Sequence, residues 1–373
     1  MNKRSNKVSL LRWGVLGVIL IGSMIIHFLH LKSGVKYPSV HAICPYGGLE
    51  NLWQWISGKA NISKLFSGTM VLFFLTVVIA IIFRRGFCGN ICPFGALQEF
   101  IGHFNPKKVR IPQSYDKYLR MIKYVLLALS VIMAWRTASL WLSPFDPWAA
   151  FAHMYNIEEL FVEFAVGTII LIITIIASVF ISRFFCKYLC PAGALYGIIG
   201  KISPMKIECD QNKCTKCGIC NKECPMDIDV YNSAKVTSAE CIACGKCFDV
   251  CPQNNSFITA RFGKFKLKSL SIILLSVGIF FGSLFVLDAA GIYRVSLPTV
   301  AEVEEKGDYI PLYDIRGSMT IEQGAFYTGK ELKEFYRIME IPEDVPKDTL
   351  MKYVYQYVPG YDFHAMKAAK ALE

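Results

Sequence analysis

Five long apolar runs organise the sequence. Polar segments separate them, and they extend over Leu10–Leu31, Phe66–Phe83, Tyr124–Leu142, Phe161–Ser182 and Leu267–Leu287. Each run approaches the roughly 20 residues that a helix needs to cross the hydrocarbon core of a bilayer. The pattern therefore predicts five transmembrane helices. The first run is too long for a signal peptide and no small-residue cleavage site follows it, so we expect an uncleaved span.

A shorter pattern follows each of the first four runs. Apolar side chains recur there at i, i+3, i+4 and i+7, which is the stripe of an amphipathic helix. The four stripes begin at Leu49, Leu97, Trp148 and Leu195. At a membrane surface we expect such helices to lie flat in the interface.

A turn that contains proline precedes each stripe. The four turns begin at Cys44-Pro45, Cys92-Pro93, Ser143-Pro144 and Cys190-Pro191. From these positions we infer a duplicated unit of two spans with a period of 98 or 99 residues. Because each unit contains two spans, both copies have the same orientation. Their pseudo-twofold axis is expected to run along the membrane normal.

The composition agrees with a membrane protein and leaves the charge to be explained. Of the 373 residues, 54% are hydrophobic and 18% are charged, which excludes intrinsic disorder. The net charge of +11 is compatible with binding to nucleic acid or anionic lipid, or with basic loops on one side of a membrane.

The distribution of lysine and arginine favours the last explanation. Basic residues cluster between the second and third runs and between the fourth and fifth. The chain from Asp288 onward has 10 Lys and Arg against 15 Asp and Glu. With a cytoplasmic N-terminus, the basic segments lie inside and the acidic tail lies outside. We therefore predict a multi-pass protein of a prokaryotic inner membrane with no nucleic-acid partner.

Eight of the fourteen cysteines lie between the fourth and fifth runs in two equal motifs. The motifs are Cys214-x2-Cys217-x2-Cys220-x3-Cys224-Pro225 and Cys241-x2-Cys244-x2-Cys247-x3-Cys251-Pro252. Bacterial ferredoxins with two [4Fe–4S] clusters have this spacing, and the fourth Cys of each motif ligates the other cluster. The predicted ligand sets are Cys214, Cys217, Cys220 and Cys251 for one cluster, and Cys241, Cys244, Cys247 and Cys224 for the second. Structural zinc is the alternative, but it usually takes two CxxC pairs.

Four more cysteines form two matched pairs at the predicted inner ends of spans two and four. The pairs are Cys88-x3-Cys92-Pro93 and Cys186-x3-Cys190-Pro191. Cysteines four apart in a helical turn point the same way, and the pseudo-twofold axis would bring the two pairs together. We predict a shared metal site there, either a further iron–sulfur cluster or a single iron or zinc ion. Cys44 and Cys209 remain without a role.

These motifs complete the fold prediction, which is a mainly α-helical integral membrane protein with an inserted α+β ferredoxin domain. Residues 1–204 would form four transmembrane helices with the two inner CxxxCP turns. Residues 205–262 would form the cytoplasmic two-cluster ferredoxin domain, and 263–290 the fifth helix. Residues 291–373 would form a small helical extracytoplasmic domain, in which Thr320-x2-Gln323 has the pattern of a capping box.

The combination of two membrane CxxxCP turns with two ferredoxin motifs resembles the NapH family and the C-terminal membrane part of NosR. The resemblance covers about residues 10 to 287. It implies a polyferredoxin-like membrane protein of the kind found in periplasmic nitrate reduction and nitrous oxide respiration. Such a protein would transfer electrons between the quinone pool or a cytoplasmic donor and an extracytoplasmic redox partner.

The two outer turns carry a second candidate site. Its residues are His41, Cys44, Asp146, Trp148 and His153. They could bind a quinone head group or dock a partner, or they could be interfacial anchors. His27 and His30, at the outer end of the first span, are predicted to be polar or capping residues. No ligand set is visible across the hydrocarbon core of about 30 Å, so transmembrane electron transfer is expected to need a diffusing quinone or a partner's cofactor.

The predicted function is therefore membrane-bound electron transfer through iron–sulfur clusters, with substrate chemistry left to a partner. Two alternatives would use the same clusters. One is a maturation factor that supplies electrons for metal insertion into another enzyme, and the other is a redox sensor in which cluster oxidation changes docking of the tail. Rapid reoxidation by quinone or partner would distinguish an electron carrier from both.

Overall fold

The computed structural model describes residues 3–33, 37–58, 62, 65–105, 108–251, 257–296, 303, 307, 309–312, 315–363 and 365–366. Each predicted span coincides with a helix. These helices are α1 (Lys3–Ser33), α3 (Ser67–Phe83), α6 (Gln113–Thr137), α9 (Ala165–Phe180) and α14 (Ser269–Ala289). Within the described chain, α1, α6 and α14 are long and apolar enough to cross a membrane, while α3 and α9 are shorter apolar helices.

The third of these helices differs from its prediction. We expected a span from Tyr124 to Leu142, but α6 begins at Gln113, directly after Pro112, and ends at Thr137. Ala138 ends it by adopting the left-handed conformation at φ 50°. The early start comes from a first half that contains charged residues such as Asp116, and a criterion based on apolar runs does not detect it.

Large apolar side chains on the long helices point away from the protein. Val18 of α1 and Val125 of α6 are mostly exposed, as are Ile169 of α9 and Leu274 of α14. A water-soluble protein would not leave contiguous apolar surface of this kind uncovered. The surface is therefore suited to lipid.

Four short helices begin with proline in their first turn, where the missing N–H costs nothing. They are α2 (Pro45–Ile56), α5 (Pro93–His103), α7 (Pro147–Ala152) and α11 (Pro191–Ile199). Their N-cap residues are Cys44, Cys92, Asp146 and Cys190. The predicted start of the third turn, at Ser143, is therefore wrong by three residues, because the helix cap is Asp146.

The reason for that shift is a stronger N-cap. Asp146 accepts a hydrogen bond of 3.0 Å from the backbone N–H of Trp148, which stabilises a helix start at Pro147. The predicted start, Ser143-Pro144, forms only a 3₁₀ turn over Ser143–Phe145. Asp146 is consequently the counterpart of Cys44, and Trp148 is the counterpart of Tyr46.

The apolar stripes of the short helices are only partly covered by the protein. On α2, Leu49 is buried whereas Trp53 is 47% exposed, and Ile202, after α11, is 71% exposed. The polar side chains Gln98 and Glu99 of α5 are buried as well. The placement of these helices flat in a membrane interface stays a prediction.

Outer and inner short helices meet inside the bundle. Both α5 and α7 pack against α9, and the rings of Phe94 and Trp148 approach to 5.8 Å between centroids. In the other half, Tyr46 of α2 belongs to an apolar cluster that also contains Ala192 of α11. Each outer helix thus contacts the inner helix of the other repeat.

The two inner turns include the short helices α4 (Gly86–Asn90) and α10 (Phe184–Tyr188). A ferredoxin-like domain packs on these turns. Its sheet has the order β2-β1-β3-β4 with antiparallel pairing. The strands are β1 (Met205–Cys209), β2 (Lys235–Val236), β3 (Ile258–Phe262) and β4 (Phe265–Leu267), and the helices α12 (Ile219–Lys222) and α13 (Lys246–Asp249). Alternate residues of β1 and β3 face a core shared with the first inner turn.

The C-terminal residues form a separate small core. It is built from α15 (Ile321–Tyr327), α16 (Leu332–Ile338) and a 3₁₀ helix over Met351–Gln356. The remaining short helix, α8 (Ile157–Val162), lies elsewhere in the chain, just before α9. Thr320 and Gln323 form the predicted capping box. Arg316 lies over the ring of Phe66 at 4.0 Å, just before α3 begins. This domain therefore contacts the end of α3 opposite to the inner turn.

Candidate metal centres

The two ferredoxin loops repeat one backbone conformation. Lys216 and Gly218 in the first loop have φ of 54° and 72°, and Ala243 and Gly245 in the second have φ of 50° and 75°. Left-handed residues at the same two positions wrap each loop around a point and turn backbone N–H groups inward. The backbone N–H of Lys216, for example, lies 3.4 Å from Cys214 Sγ.

The second predicted ligand set is gathered around one cavity. Cys224, Cys241, Cys244 and Cys247 all line it. Cys224 lies close enough to Cys241 and Cys244 for their charges to interact, although it belongs to the first motif. Cys224 of the first motif is therefore placed beside the first three cysteines of the second motif.

The first predicted ligand set lies nearer the surface. Cys217 is exposed, Cys214 is half-buried and Cys220 is buried. Cys209, at the end of β1, lies within electrostatic reach of Cys214, Cys220 and Cys251, so it borders this set. Pro252, the last residue of the second motif, is outside the described residues.

Within the described ranges, no group of three His, Cys, Asp or Glu side chains is placed to hold a single metal ion. Burial raises the pKa of Cys224 to about 12, so the metal-free thiol is protonated at neutral pH and iron must displace the proton.

The four inner cysteines face one another across the two turns. Cys88 and Cys186 are buried, while Cys92 and Cys190 are half-buried at the starts of α5 and α11. Cys190 interacts electrostatically with the other three. Gln98 completes the surroundings, since its Nε2 donates to Cys186 Sγ at 3.2 Å and its Oε1 accepts from the Phe185 N–H at 3.0 Å.

Two arginines cross between the halves. Arg183 of the second repeat donates a hydrogen bond of 2.6 Å to the carbonyl oxygen of Cys88. Arg85 of the first repeat donates one of 3.2 Å to the carbonyl oxygen of Cys186. Both guanidinium groups are buried. Each repeat therefore holds the cysteine turn of the other.

Glycines make room for these arginines. A Cβ atom at Gly95 would lie 2.8 Å from Arg183 Nη1, and a Cβ atom at Gly193 would lie 2.4 Å from Arg85 Nη2. Both distances are shorter than a van der Waals contact. Glycine is thus required at the same place in both turns because the opposite arginine occupies the space of a side chain.

The ferredoxin domain rests on both inner turns. At the first turn, a Cβ atom on Gly89 would lie 2.1 Å from the carbonyl oxygen of Ile242, which places the second cysteine loop directly on the helix. At the second turn, buried Lys187 forms an ion pair with Asp227, three residues after Cys224. The ferredoxin domain therefore contacts both inner turns, and its second cysteine loop lies directly on the first of them.

Two buried carboxylates connect the ferredoxin domain to the inner turns. Glu240, next to Cys241, pairs with Arg85 at 2.8 Å and accepts a hydrogen bond of 2.6 Å from Lys123. Burial alone would raise the pKa of Glu240, but Arg85 and Lys123 outweigh that effect and hold it below its usual range.

The second of these carboxylates is Glu99. It pairs with Arg12 at 2.8 Å, Arg183 at 2.7 Å and Lys246 at 3.0 Å. Because Lys246 precedes Cys247, both carboxylates connect the inner turns to the second ferredoxin loop.

The predicted outer residues also come together. The rings of His41 and His153 stack on Phe164 at 6.4 and 4.6 Å between centroids, and His41 Nε2 lies 3.2 Å from Ser143 Oγ. His30 Nδ1 is 2.7 Å from the carbonyl of Tyr37, as a capping residue would be.

His27 does not fit its prediction. It is buried in T-shaped contact with Trp148, and neither ring nitrogen has a hydrogen-bond partner within the described part of the chain.

Cys44 lies deeper than its predicted outer position. The buried Tyr196 is within electrostatic reach of Cys44 on the outer turn and of Cys88 and Cys190 on the inner turns. Tyr196 therefore lies between the outer and inner turns. The expectation that electrons need a diffusing quinone or a partner's cofactor to cross the membrane stays a prediction.

The sequence reasoning missed Arg85, Arg183, Glu99 and Glu240. It treated the arginines only as topology charges. A signal was present, because each arginine stands three residues before the first cysteine of its turn, as Arg85-x2-Cys88 and Arg183-x2-Cys186. The partners Glu99 and Glu240 have no equivalent repetition that could have revealed them.

Comparisons with known proteins bear on these sites. A family model described as a 4Fe-4S binding domain matches residues 67–112 and 164–208, and one described as a 4Fe-4S dicluster domain matches residues 213–256. The first model matches once in each repeat, and each match includes a CxxxCP turn. The second covers the ferredoxin motifs. The protein accordingly contains iron–sulfur domains in both regions.

Three relatives illustrate the similarity. The putative electron transport protein YccM of Escherichia coli is 30% identical over 268 residues, covering 68% of this chain and 74% of YccM. The ferredoxin-type protein NapH of Escherichia coli is 26% identical over 262 residues, covering 66% of this chain and 86% of NapH. The regulatory protein NosR of Stutzerimonas stutzeri is 30% identical over 201 residues, covering 49% of this chain and 26% of NosR. No solved structure matches the chain significantly.

The similarity to YccM extends over most of both chains, and the 4Fe-4S models match both cysteine regions. The resemblance inferred from the motifs is thereby confirmed. This chain belongs to the NapH/NosR-type family of polyferredoxin-like, iron–sulfur electron-transfer membrane proteins.

Proposed function

We propose that the protein is a membrane-bound electron carrier that links a cytoplasmic donor or the quinone pool to a redox partner. One [4Fe–4S] cluster is held by Cys214, Cys217, Cys220 and Cys251, and a second by Cys241, Cys244, Cys247 and Cys224. A third iron–sulfur site is shared by Cys88, Cys92, Cys186 and Cys190. When bound, such clusters take up and release single electrons at potentials that their surroundings set.

The contact between the second ferredoxin loop and the inner turns carries this proposal. Gly89 permits the backbone of Ile242 to touch the first turn, and Lys187 with Asp227 anchors the second. Electron tunnelling weakens exponentially with distance, so a redox group in the second ferredoxin loop, which touches the first inner turn, is favourably placed to exchange electrons with the inner thiols. The first ligand set, nearer the surface, is suited to meet a soluble donor.

The contact between Phe94 and Trp148 supports an onward route to the opposite face. Phe94 lies two residues after Cys92, and Trp148 begins the outer helix α7. The outer residues around Phe164 would then receive the electrons, through a bound quinone head group or a docked redox protein. A diffusing quinone is not required for the crossing itself.

The proposed topology has five spans, with the N-terminus and ferredoxin domain in the cytoplasm and the C-terminal domain outside. The opposite placement of the two domains along α3 supports it. So does the excess of acidic residues after Asp288. Protease added to right-side-out vesicles should remove an epitope at the C-terminus and spare one at the N-terminus. Cleavage of both, or of the N-terminal one alone, would contradict this orientation.

Iron and acid-labile sulfide analysis with EPR, on protein purified without oxygen, tests the ligand sets. Two [4Fe–4S] clusters account for about eight irons per chain, and the inner site adds to that number. The double variant Cys92→Ser/Cys190→Ser should lose only the excess iron, and Cys241→Ser should alter a ferredoxin signal. Cys44→Ser, on the outer turn and outside both predicted ligand sets, is the matched control and should change neither. Absence of excess iron in the parent protein would remove the inner site from the proposal.

A further inference from the structure

Buried positive charge around the inner thiols exceeds the negative charge that the described side chains supply. The Glu99 carboxylate pairs with three cations, Arg12, Arg183 and Lys246. The Glu240 carboxylate pairs with Arg85 and Lys123, and Arg120 approaches it at 3.6 Å. Arg120 is shared with Asp116. Asp249 lies within electrostatic reach of Arg12. In each group, three basic side chains therefore face two carboxylates, which leaves surplus positive charge next to the CxxxCP turns.

Such a surplus is unfavourable unless an anion balances it. Arg85 and Arg183 are 1% and 0% exposed, so water does not solvate them. An uncompensated buried charge strongly destabilises the folded protein, as does the removal of one partner from a buried ion pair. Four thiolates around an iron–sulfur cluster carry net negative charge, and they lie on the side to which both arginines turn.

One donor atom points to the same missing anion. Arg85 Nη1 pairs with Glu240, and Nη2 donates to the Cys186 carbonyl. Its Nε is buried and has no acceptor among the described residues. Cys88 lies within electrostatic reach of this guanidinium. The unused N–H is thus available to a sulfur atom at the inner site.

We propose that Arg85 and Arg183 are the positioning residues of the inner site, where each holds the opposite CxxxCP turn and together they balance the charge of an anionic iron–sulfur cluster. The Arg85 Nε–H donates to a sulfur of that site. This inference rests on the proposed inner cluster and explains how two repeats share it. Hydrogen bonds and positive charge near the sulfurs favour the reduced form, so both arginines raise its reduction potential.

The test compares Arg85→Gln and Arg183→Gln with the charge-conserving Arg85→Lys and Arg183→Lys. Glutamine removes the charge but leaves Glu240 paired to Lys123 and Glu99 paired to Arg12, so neither carboxylate is orphaned. The readouts are the midpoint potential of the inner signal in an EPR titration and its iron content after a chelator challenge. Loss of such supporting contacts typically weakens metal retention about 10–100-fold.

Arg84→Gln is the matched control. Arg84 is also buried and donates to the carbonyl oxygens of Val236 and Ser238 in the ferredoxin domain, and among the described residues its side chain has no hydrogen bond or ion pair with either CxxxCP turn. The ferredoxin EPR signals serve as an internal measure of folding. We expect the glutamine variants to shift the inner potential to more negative values, the lysine variants to shift it less, and the ferredoxin signals to persist in all of them.

Two results would overturn the inference. An inner signal with unchanged potential and iron retention in both glutamine variants would show that the arginines do not act on it. An equal shift in Arg84→Gln would show a general effect of weakening the domain joint. Failure of the underlying function looks different, because the parent protein would then show no iron beyond the ferredoxin clusters.

Discussion

The guanidinium of Arg183 donates a hydrogen bond of 2.6 Å to the carbonyl oxygen of Cys88, on the opposite side of the pseudo-twofold axis. Its counterpart Arg85 makes the reciprocal bond to Cys186 at 3.2 Å. The exchange ties two membrane repeats together at the place where their cysteines meet. Several consequences of this arrangement can be measured.

Alanine at Gly95 or Gly193 should disrupt the inner site. The new Cβ atoms would lie 2.8 Å from Arg183 Nη1 and 2.4 Å from Arg85 Nη2, so each arginine must leave its carbonyl partner. We expect a loss of about 1–3 kcal/mol from overpacking and a weakened inner EPR signal with intact ferredoxin signals. Gly278→Ala in α14 is the control, since no atom lies within 4 Å of its Cβ position. An unaltered inner signal in both variants would argue against the exchange.

Neutralising Glu240 should loosen the joint between the ferredoxin domain and the membrane part. Glu240→Gln leaves buried Arg85 and Lys123 without their carboxylate, and removing one partner of a buried ion pair typically costs about 3–5 kcal/mol. Thermal unfolding and limited proteolysis of the purified protein would detect the change.

Glu208→Gln is the comparison for that experiment. Glu208 also pairs with two basic side chains, Lys235 and Arg261, but those are half exposed or more, where such pairs contribute about 0–1 kcal/mol. If both glutamine variants lose the same amount of thermal stability, burial does not strengthen the ion pairs of Glu240.

Leucine at Trp148 or Phe94 should slow electron transfer across the membrane. The rings meet at 5.8 Å between centroids, and removing either one lengthens the gap between inner and outer helices. Protein in quinone-free liposomes, with dithionite inside and ferricyanide outside, reports the rate as ferricyanide is reduced one electron at a time. Trp141→Leu, an outer tryptophan that packs on Phe145 instead, should behave as the parent protein does. Equal rates in all three would place the route elsewhere.

Removing the cap at Thr320 should destabilise the C-terminal domain alone. Thr320 Oγ1 accepts from the Gln323 N–H at 3.1 Å, and Gln323 Oε1 accepts from the Thr320 N–H at 3.0 Å. Thr320→Ala is expected to cost about 0.5–2 kcal/mol, seen as faster proteolysis after α14. Lys333→Ala, on an exposed face of α16, should have no such effect. Cluster signals should be the same in both variants.

The positions of the spans and the grouping of the cysteines could be read from the sequence. Apolar runs and CxxC-type spacings are local, so the helices at Ser67–Phe83 and Ala165–Phe180 appear close to where they were predicted. The boundaries failed where local signals compete. Pro144 and Pro147 both offer a helix start, and the Asp146 carboxylate decided between them through its hydrogen bond to Trp148.

The orientation of the short helices was not available from the pattern. Periodicity shows that α2, α5 and α11 have an apolar stripe, but it does not say whether protein or lipid covers it. Gln98 and Glu99 turn inward because Cys186, Arg12 and Arg183 offer them partners there. Part of the apolar stripe, including Trp53 and Phe104, then faces outward.

The sequence by itself determined that this is a duplicated, cysteine-rich membrane protein of the polyferredoxin type, because the repeated spacing of its cysteines and prolines can be read without the tertiary structure. Only the tertiary structure decided that Arg85 and Arg183 reach across to the other repeat, and that Trp148 of the outer turn meets Phe94 of the inner one. Those contacts join residues about a hundred positions apart or about fifty positions apart along the chain. Packing of buried charge, rather than any local pattern, selects them.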